Sequence, residues 1–176
     1  MTRIYVDATT LIALGTVGEL SLLHSFEGTL VVLPSIRDEV TTEPARTNLE
    51  ELCNDGEIKT TKPEVDLDDE RAMDILGEST VNGDVRIVAA VLADLEADKR
   101  VAIVSDDRRL RTVADGLGAC VTGTIGVIVS AVEAGLAEDE AKAVVRRVDE
   151  HGLHMTAELR EEANALIEEA SATSSV

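Results

Sequence analysis

Arg3-Ile4-Tyr5-Val6-Asp7-Ala8-Thr9-Thr10-Leu11-Ile12-Ala13-Leu14 is the stretch whose reading decides the fold. Ile, Tyr and Val side by side predict a short strand. The run stops on an acid, and Ala8 to about Leu14 reads as a helix. The same switch recurs along the chain. Leu30-Val31-Val32-Leu33 is followed, one helical turn past Pro34, by Asp38 and Glu39, and Val101-Ala102-Ile103-Val104 runs into Ser105-Asp106-Asp107. Between these, Asn82-Gly83-Asp84 opens the apolar run Val85-Arg86-Ile87-Val88-Ala89-Ala90-Val91-Leu92. Short β-branched runs alternating with helical patterns predict parallel strands in an α/β sheet. Ligands of such sheets bind beyond the carboxyl ends of the strands. Carboxylates converging there repel one another unless a cation neutralises them, and oxygen-only ligation suits Mg²⁺ or Mn²⁺.

Outward from these runs the pattern continues without repeat or interdomain linker. Strands are expected at 3–7, 29–33, 101–104 and 119–121, with a short edge strand at 58–61. After a first helix interrupted at Gly15 and Gly18, residues 19–26 continue helically. Pro34 suits a first helical position, where its missing N–H is no loss, and a short helix follows it. Further helices are expected over about 45–54, 69–77, 83–97, 107–117, 123–135 and 138–150, with an acidic loop and helix start over 65–70. A final helix runs from about 157 to about 170. Residues 1–170 thus form one domain whose last part, about 138–170, is a helical pair, and 171–176 should fray.

Composition limits the function. Acids outnumber bases 35 to 16, for a net charge of −19, yet 44% of residues are apolar. A disordered acidic tail lacks such apolar content, so the chain is a folded domain with an acidic surface. The acids are spread along the sequence, which favours adaptation to multimolar salt over mimicry or repulsion of nucleic acid. At about 1 M salt the Debye length is only about 3 Å, and surface self-repulsion is nearly screened. A nucleic-acid enzyme in such salt gains little from counterion release and must hold phosphate through metal ions and a few arginines. Cys53 and Cys120 lack metal-ligand spacing and read as reduced core thiols. The absence of a signal-like segment or a long apolar run predicts a soluble, cytoplasmic protein with no membrane contact.

Each acid also has an ordinary structural role. Asp7, Asp106 and Asp107 stand where helix N-caps are expected. Asp84 suits a first turn, where the macrodipole favours negative charge. Capping alone, however, does not require all four sites to fall on one sheet edge. His24, His151 and His154 lie outside these motifs, and His24 reads as packed on an apolar helix.

The runs 4–14, Pro34-Ser35-Ile36-Arg37-Asp38-Glu39-Val40, 83–90 and Val104-Ser105-Asp106-Asp107-Arg108-Arg109-Leu110-Arg111 together resemble the PIN-domain nucleases. Thr122-Gly123-Thr124-Ile125-Gly126-Val127-Ile128 and Gly152-Leu153-His154-Met155-Thr156-Ala157-Glu158-Leu159 are similar to a subfamily found among type II toxin–antitoxin loci. The resemblance implies a three-layer α/β/α sandwich on a central parallel sheet, with extra C-terminal helices, and Mg²⁺- or Mn²⁺-dependent cleavage of RNA. By position Asp7, Glu39 and Asp84 match the first three acids, and Asp106 or Asp107 the fourth, with Ser-x-Asp spacing favouring Asp107. Thr9 or Thr10 matches a hydroxyl residue near the first acid. Arg86 stands where many relatives carry a further acid. Metal ions held by carboxylates can hydrolyse a phosphodiester without a protein nucleophile. Arg108 and Arg109 are candidates for binding RNA phosphates, with surface ion pairing as their ordinary alternative.

The expected partners are RNA, an antitoxin protein, and a second copy of the chain. The apolar stretch Ile125–Val129 and the C-terminal helical pair supply the dimer surface in this reading. A haloacid-dehalogenase-type phosphatase fits less well, because its second acid would fall at Thr9 and no lysine stands at a plausible strand end. A receiver-like module would need a lysine after the last strand. A degenerate PIN-like binding module, weakened by Arg86, is the non-enzymatic alternative.

Overall fold

The computed structural model describes residues 1–56, 58–60 and 67–174. Among them β1 (Arg3–Val6), β2 (Thr29–Val31), β3 (Val101–Val104) and β4 (Cys120–Thr122) form one all-parallel sheet in the order β2-β1-β3-β4. Ile4 lies between Leu30 and Ala102, and Ala102 pairs onward with Cys120. The helices are α1 (Ala8–Thr16), a 3₁₀ helix (Leu20–Ser25), α2 (Pro34–Glu39), α3 (Ala45–Asn54), α4 (Asp69–Leu76), α5 (Gly83–Glu96), α6 (Arg108–Leu117), α7 (Thr124–Glu133), α8 (Glu138–His151) and α9 (Ala157–Ser174).

Connection handedness explains the layers. The chain leaves β1 through α1 toward β2, and leaves β3 through α6 toward β4 on the other side. Right-handed crossovers therefore put α1 and α6 on opposite faces of the sheet. The packing follows this rule: α5 lies between α4 and α6, whereas α1, α3, the 3₁₀ helix and α7 pack among themselves. The three layers are the expected α/β/α sandwich. Between β1 and β3 the outgoing connections diverge, which opens a crevice at their carboxyl ends.

Local sequence fixes several helix ends. Asn82 accepts a hydrogen bond from the Val85 N–H at 3.0 Å, and Asp107 from the Leu110 N–H at 2.8 Å. Such caps satisfy donors that the first turn leaves unpaired. Gly77 and Gly118 close α4 and α6 in the left-handed conformation that glycine adopts without a Cβ clash. The core is built from side chains such as Leu11, Ile103, Leu110 and Ile128, all inaccessible to solvent. Each contributes about 1.5–3 kcal/mol of apolar burial. At the end of the sheet away from the crevice, buried Asp94 accepts from Tyr5 Oη at 2.6 Å, Arg3 Nη1 at 3.1 Å and Lys99 Nζ at 3.0 Å. Burial, together with the Asp94 carboxylate, pushes the Tyr5 phenol well above its ordinary pKa.

Several details differ from the sequence expectation. The second strand ends at Val31, and the edge strand is reduced to a parallel bridge between Val31 and Lys59; Thr61, Val65 and Asp66 lie outside the described residues. Residues 20–25 form a 3₁₀ helix, whose three-residue turn buries Leu20 and Leu23 and leaves His24 exposed rather than packed. Cys120 is exposed at the sheet edge and Cys53 half-buried, so neither is a fully buried core thiol. The tail expected to fray from Ser171 stays helical to Ser174. There the Thr173 and Ser174 hydroxyls donate to the carbonyls of Glu169 and Ala170, one turn back. Within the stretch Ile125–Val129, Val127 and Ile128 are buried where α7 packs against the 3₁₀ helix, α8 and α9, whereas Ile125, Gly126 and Val129 stay partly exposed.

Candidate active site

Asp7, Glu39, Asp84 and Asp107 gather around the crevice, but they are held in different ways, while Asp38 lines a separate groove beside α2. Asp7 follows β1 and occupies the N-cap position of α1 without capping it. Its Oδ2 instead accepts from Thr9 Oγ1 at 2.7 Å and Ser105 Oγ at 2.8 Å. Those two hydroxyls in turn accept the backbone N–H groups of Asp106, at 3.1 Å, and Asp107, at 3.0 Å. Two parallel relays thus tie one oxygen of Asp7 to the loop after β3. Asp7 is 3% exposed, and a buried carboxylate without such donors would be strongly disfavoured.

The doublet divides its labour. Asp106 accepts from the Thr124 N–H at 2.8 Å, Thr124 Oγ1 at 2.5 Å and Thr10 Oγ1 at 3.4 Å, bracing the start of α7 against α1. Asp107 caps α6 through Oδ1. Its charge, and not that of Asp106, is felt at Asp84. Thr10 is therefore a buried partner of the brace, and Thr9 is the hydroxyl that serves the first acid.

Glu39 ends α2 and accepts from the Gly83 N–H at 3.0 Å. A Cβ at Gly83 would lie 2.3 Å from that carboxylate oxygen and 2.7 Å from Ile36 Cδ1, so any larger residue would push the Glu39 carboxylate and the tip of Ile36 out of their present positions. Asp84, the next residue, is half-buried, and its carboxylate has no hydrogen-bond partner among the described residues. Its pKa is pushed up to about 6, first by burial and then by the like charges of Asp7, Asp107 and Glu39, with Arg109 opposing. Glu39 is also raised, by burial first, while the Gly83 N–H lowers it and Asp7 raises it. Asp7, Glu39, Asp84 and Asp107 therefore sense one another as a single group of like charges. Among the described residues no three His, Cys, Asp or Glu side chains stand in metal-ligating geometry, and the repulsion within the group opposes closer approach.

The arginines separate as well. Arg109 donates to Glu78 Oε1 at 2.7 Å and to the Leu76 carbonyl, joining α6 to the end of α4. Arg86 pairs with Asp69 at 3.1 Å, which directs its charge toward α4. Arg108 is exposed, and its guanidinium has no partner among the described residues. Sequence reasoning had not assigned roles to Ser105, Thr124 or Gly83. A hydroxyl beside an acidic doublet and a glycine beside an acid were the available signals.

A sheet of order β2-β1-β3-β4 with acids gathered at the β1/β3 crevice is now joined by a match between residues 3–169 and a family model described as a PIN domain. The chain belongs to the PIN-domain family. No curated protein and no solved structure matches the chain. PIN domains are generally nucleases, hydrolases that generally use divalent metals, and an all-carboxylate donor set fits that class of ion. Among the described residues of this PIN domain, no helix is long and apolar enough to cross a membrane.

Proposed function

We propose that this PIN domain is a divalent-metal-dependent endoribonuclease that hydrolyses RNA phosphodiester bonds. The observation that carries the reading is the repulsive group at the crevice, where Asp84 is pushed up to about 6 by burial and by three neighbouring acids. Among the described residues no arginine or lysine is hydrogen-bonded to these four carboxylates, so a cation from solution is the natural counter-charge. Asp7, Glu39, Asp84 and Asp107 would hold Mg²⁺ or Mn²⁺. When bound, the ion supplies Lewis acidity toward water and phosphate.

The chain's own groups provide positioning. Thr9 and Ser105 fix one oxygen of Asp7 and leave its other oxygen for the ion. The Gly83 N–H orients Glu39, and the Leu110 N–H orients Asp107. Exposed Arg108, one residue past Asp107, contacts the phosphate backbone. Arg86 does not oppose the ion, because Asp69 holds it. In this reading the protein is the toxin of a toxin–antitoxin pair, adapted to high salt and acting in the cytoplasm. An antitoxin and a second copy of the chain are its proposed protein partners. Partly exposed Ile125 and Val129, with exposed Leu166 on the C-terminal helical pair, are the candidate dimer contacts.

In multimolar KCl with Mn²⁺ or Mg²⁺ the protein should cut RNA internally, and EDTA should stop it. Asp84→Asn should lower turnover on the order of 10²–10³-fold, the scale of losing one charge-stabilising group, with an unchanged circular dichroism spectrum. High salt matters because self-repulsion at −19 destabilises the compact state at low ionic strength. If folded, metal-loaded protein freed of any antitoxin leaves host RNA intact, the binding-module reading replaces the nuclease.

A further inference from the structure

An RNA strand cut at the carboxylate crevice has to run on across a surface that tolerates phosphate. The net charge of −19 makes most of this surface repulsive. We propose that the groove between α2 and α3 seats the RNA backbone beside the scissile phosphate, with Arg37 and Arg46 as its phosphate contacts. The inference rests on the nuclease reading and names where its substrate binds.

The groove is open and encloses about 480 Å³, with Arg37 and Asp38 on one wall and Arg46 and Glu50 on the other. It adjoins the crevice through α2. Arg37 and Asp38 line the groove, while the next residue, Glu39, reaches Gly83 at the crevice. Successive helical residues rise by only about 1.5 Å, so the two sites share one turn of helix. A strand leaving the acids on this side enters the groove at once.

Charge distinguishes this groove from its surroundings. Its two arginines balance its two acids, in a chain where acids outnumber bases 35 to 16. Arg37 has no hydrogen-bond or ion-pair partner among the described residues. Arg46 meets Glu50 through Nε at 3.2 Å, and its terminal nitrogens make no hydrogen bond among the described residues. An exposed pair of this kind is worth only about 0–1 kcal/mol, so a phosphate can displace it. By contrast, the groove between α4 and α5 carries Asp68 and Glu96 against Arg71, whose guanidinium is already bound to Glu96. That groove is net negative and has no uncommitted cation.

The residue types suit the task. A guanidinium forks onto two phosphate oxygens, giving directional bonds that a lysine point charge lacks. In multimolar salt counterion release contributes little, so the directional hydrogen bonds of the fork carry most of what remains. Buried Val40 and Leu49 also line the groove and give it an apolar floor on which ribose can rest. An acidic peptide would meet the same arginines, but continuity with the crevice favours the RNA strand.

The test is steady-state cleavage by the full chain in multimolar KCl with Mn²⁺. The substrates are a 20-nucleotide single-stranded RNA and a dinucleotide too short to leave the crevice. Arg37→Ala and Arg46→Ala should each raise KM for the long RNA about tenfold with kcat unchanged. The dinucleotide should be cut equally by all proteins. Arg146→Ala, on an exposed face of α8, should behave as the parent. Glu50→Gln should lower KM for the long RNA, a result that loss of folding cannot imitate. If the parent cleaves and KM is indifferent to all three groove substitutions, the groove is not the RNA seat and the nuclease reading stands. If the parent cleaves no RNA under any of these conditions, both readings fall. If Arg37→Ala abolishes binding of a poly-aspartate peptide while KM for RNA stays constant, the groove belongs to an acidic protein instead.

Discussion

Two aspartates are nearly inaccessible to solvent, Asp7 at 3% and Asp94 at 2%, and they mark opposite ends of the same sheet. Asp94 is surrounded by donors from Tyr5, Arg3 and Lys99, so its charge is answered within the chain. Asp7 receives only two neutral hydroxyls and stands among Glu39, Asp84 and Asp107. The first arrangement is complete without a ligand. The second leaves negative charge uncompensated, which a purely structural end of a sheet has no reason to retain. On the proposed function, the difference between them separates scaffold from site.

The largest way to break the comparison is to remove Asp94. Asp94→Ala removes the acceptor shared by the Tyr5 hydroxyl, Arg3 and Lys99, and should cost about 3 kcal/mol, the scale for breaking a buried ion pair. Denaturant titration in multimolar KCl measures it, and turnover per folded molecule should not change. A loss of turnover at full folding would mean that this end is not mere scaffold. The converse tests the other end. Mn²⁺ at a hundredfold excess over its dissociation constant should stabilise the parent by about 2.7 kcal/mol. Asp7→Asn should abolish that gain, and if the mutant's melting temperature rises with metal as the parent's does, Asp7 is not a ligand.

The third test uses pH. Asp84 is raised from 3.8 to about 6 in the folded chain. The folded state therefore holds this proton more tightly than the unfolded chain does. Stability from that proton is full below pH 3.8 and is lost as pH rises through about 6. Asp84→Asn has no such loss, so metal-free at pH 7 it should be more stable than the parent. After allowance for solvent screening at a half-buried group the gain is about 1–2 kcal/mol, fading below pH 4. A gain that persists at pH 3 would point to packing rather than charge. The smallest effect sharpens the picture of Asp7. Ser105→Ala removes one of two relays to Oδ2 and should cost about 1 kcal/mol, with weaker metal stabilisation. A loss of stability without any change in the metal response would confine Ser105 to a structural role.

The alternation of β-branched runs and helical segments was legible from the start, because the periodicities of 2 and 3.6 are written into local sequence. So was Asp107 as a cap, since it acts on backbone only three residues away. The four acids could be picked out because they follow strands or open a helix. The 3₁₀ turn at 20–25 was missed, since its three-residue period is hard to tell from a helical one over six residues.

What tertiary structure decided lies between residues distant in sequence. Nothing local to Asp94 announces Tyr5 or Arg3, which lie 89 and 91 residues away. Asp106 and Asp107 are chemically identical neighbours, and only the arrival of Thr124 and Thr10 turns one into a brace and leaves the other facing Asp84. The sequence by itself determined that acids close its strands. Setting β3 beside β1 brought those acids together, because in a parallel sheet the strand order, and not the order along the chain, decides which carboxyl ends are neighbours.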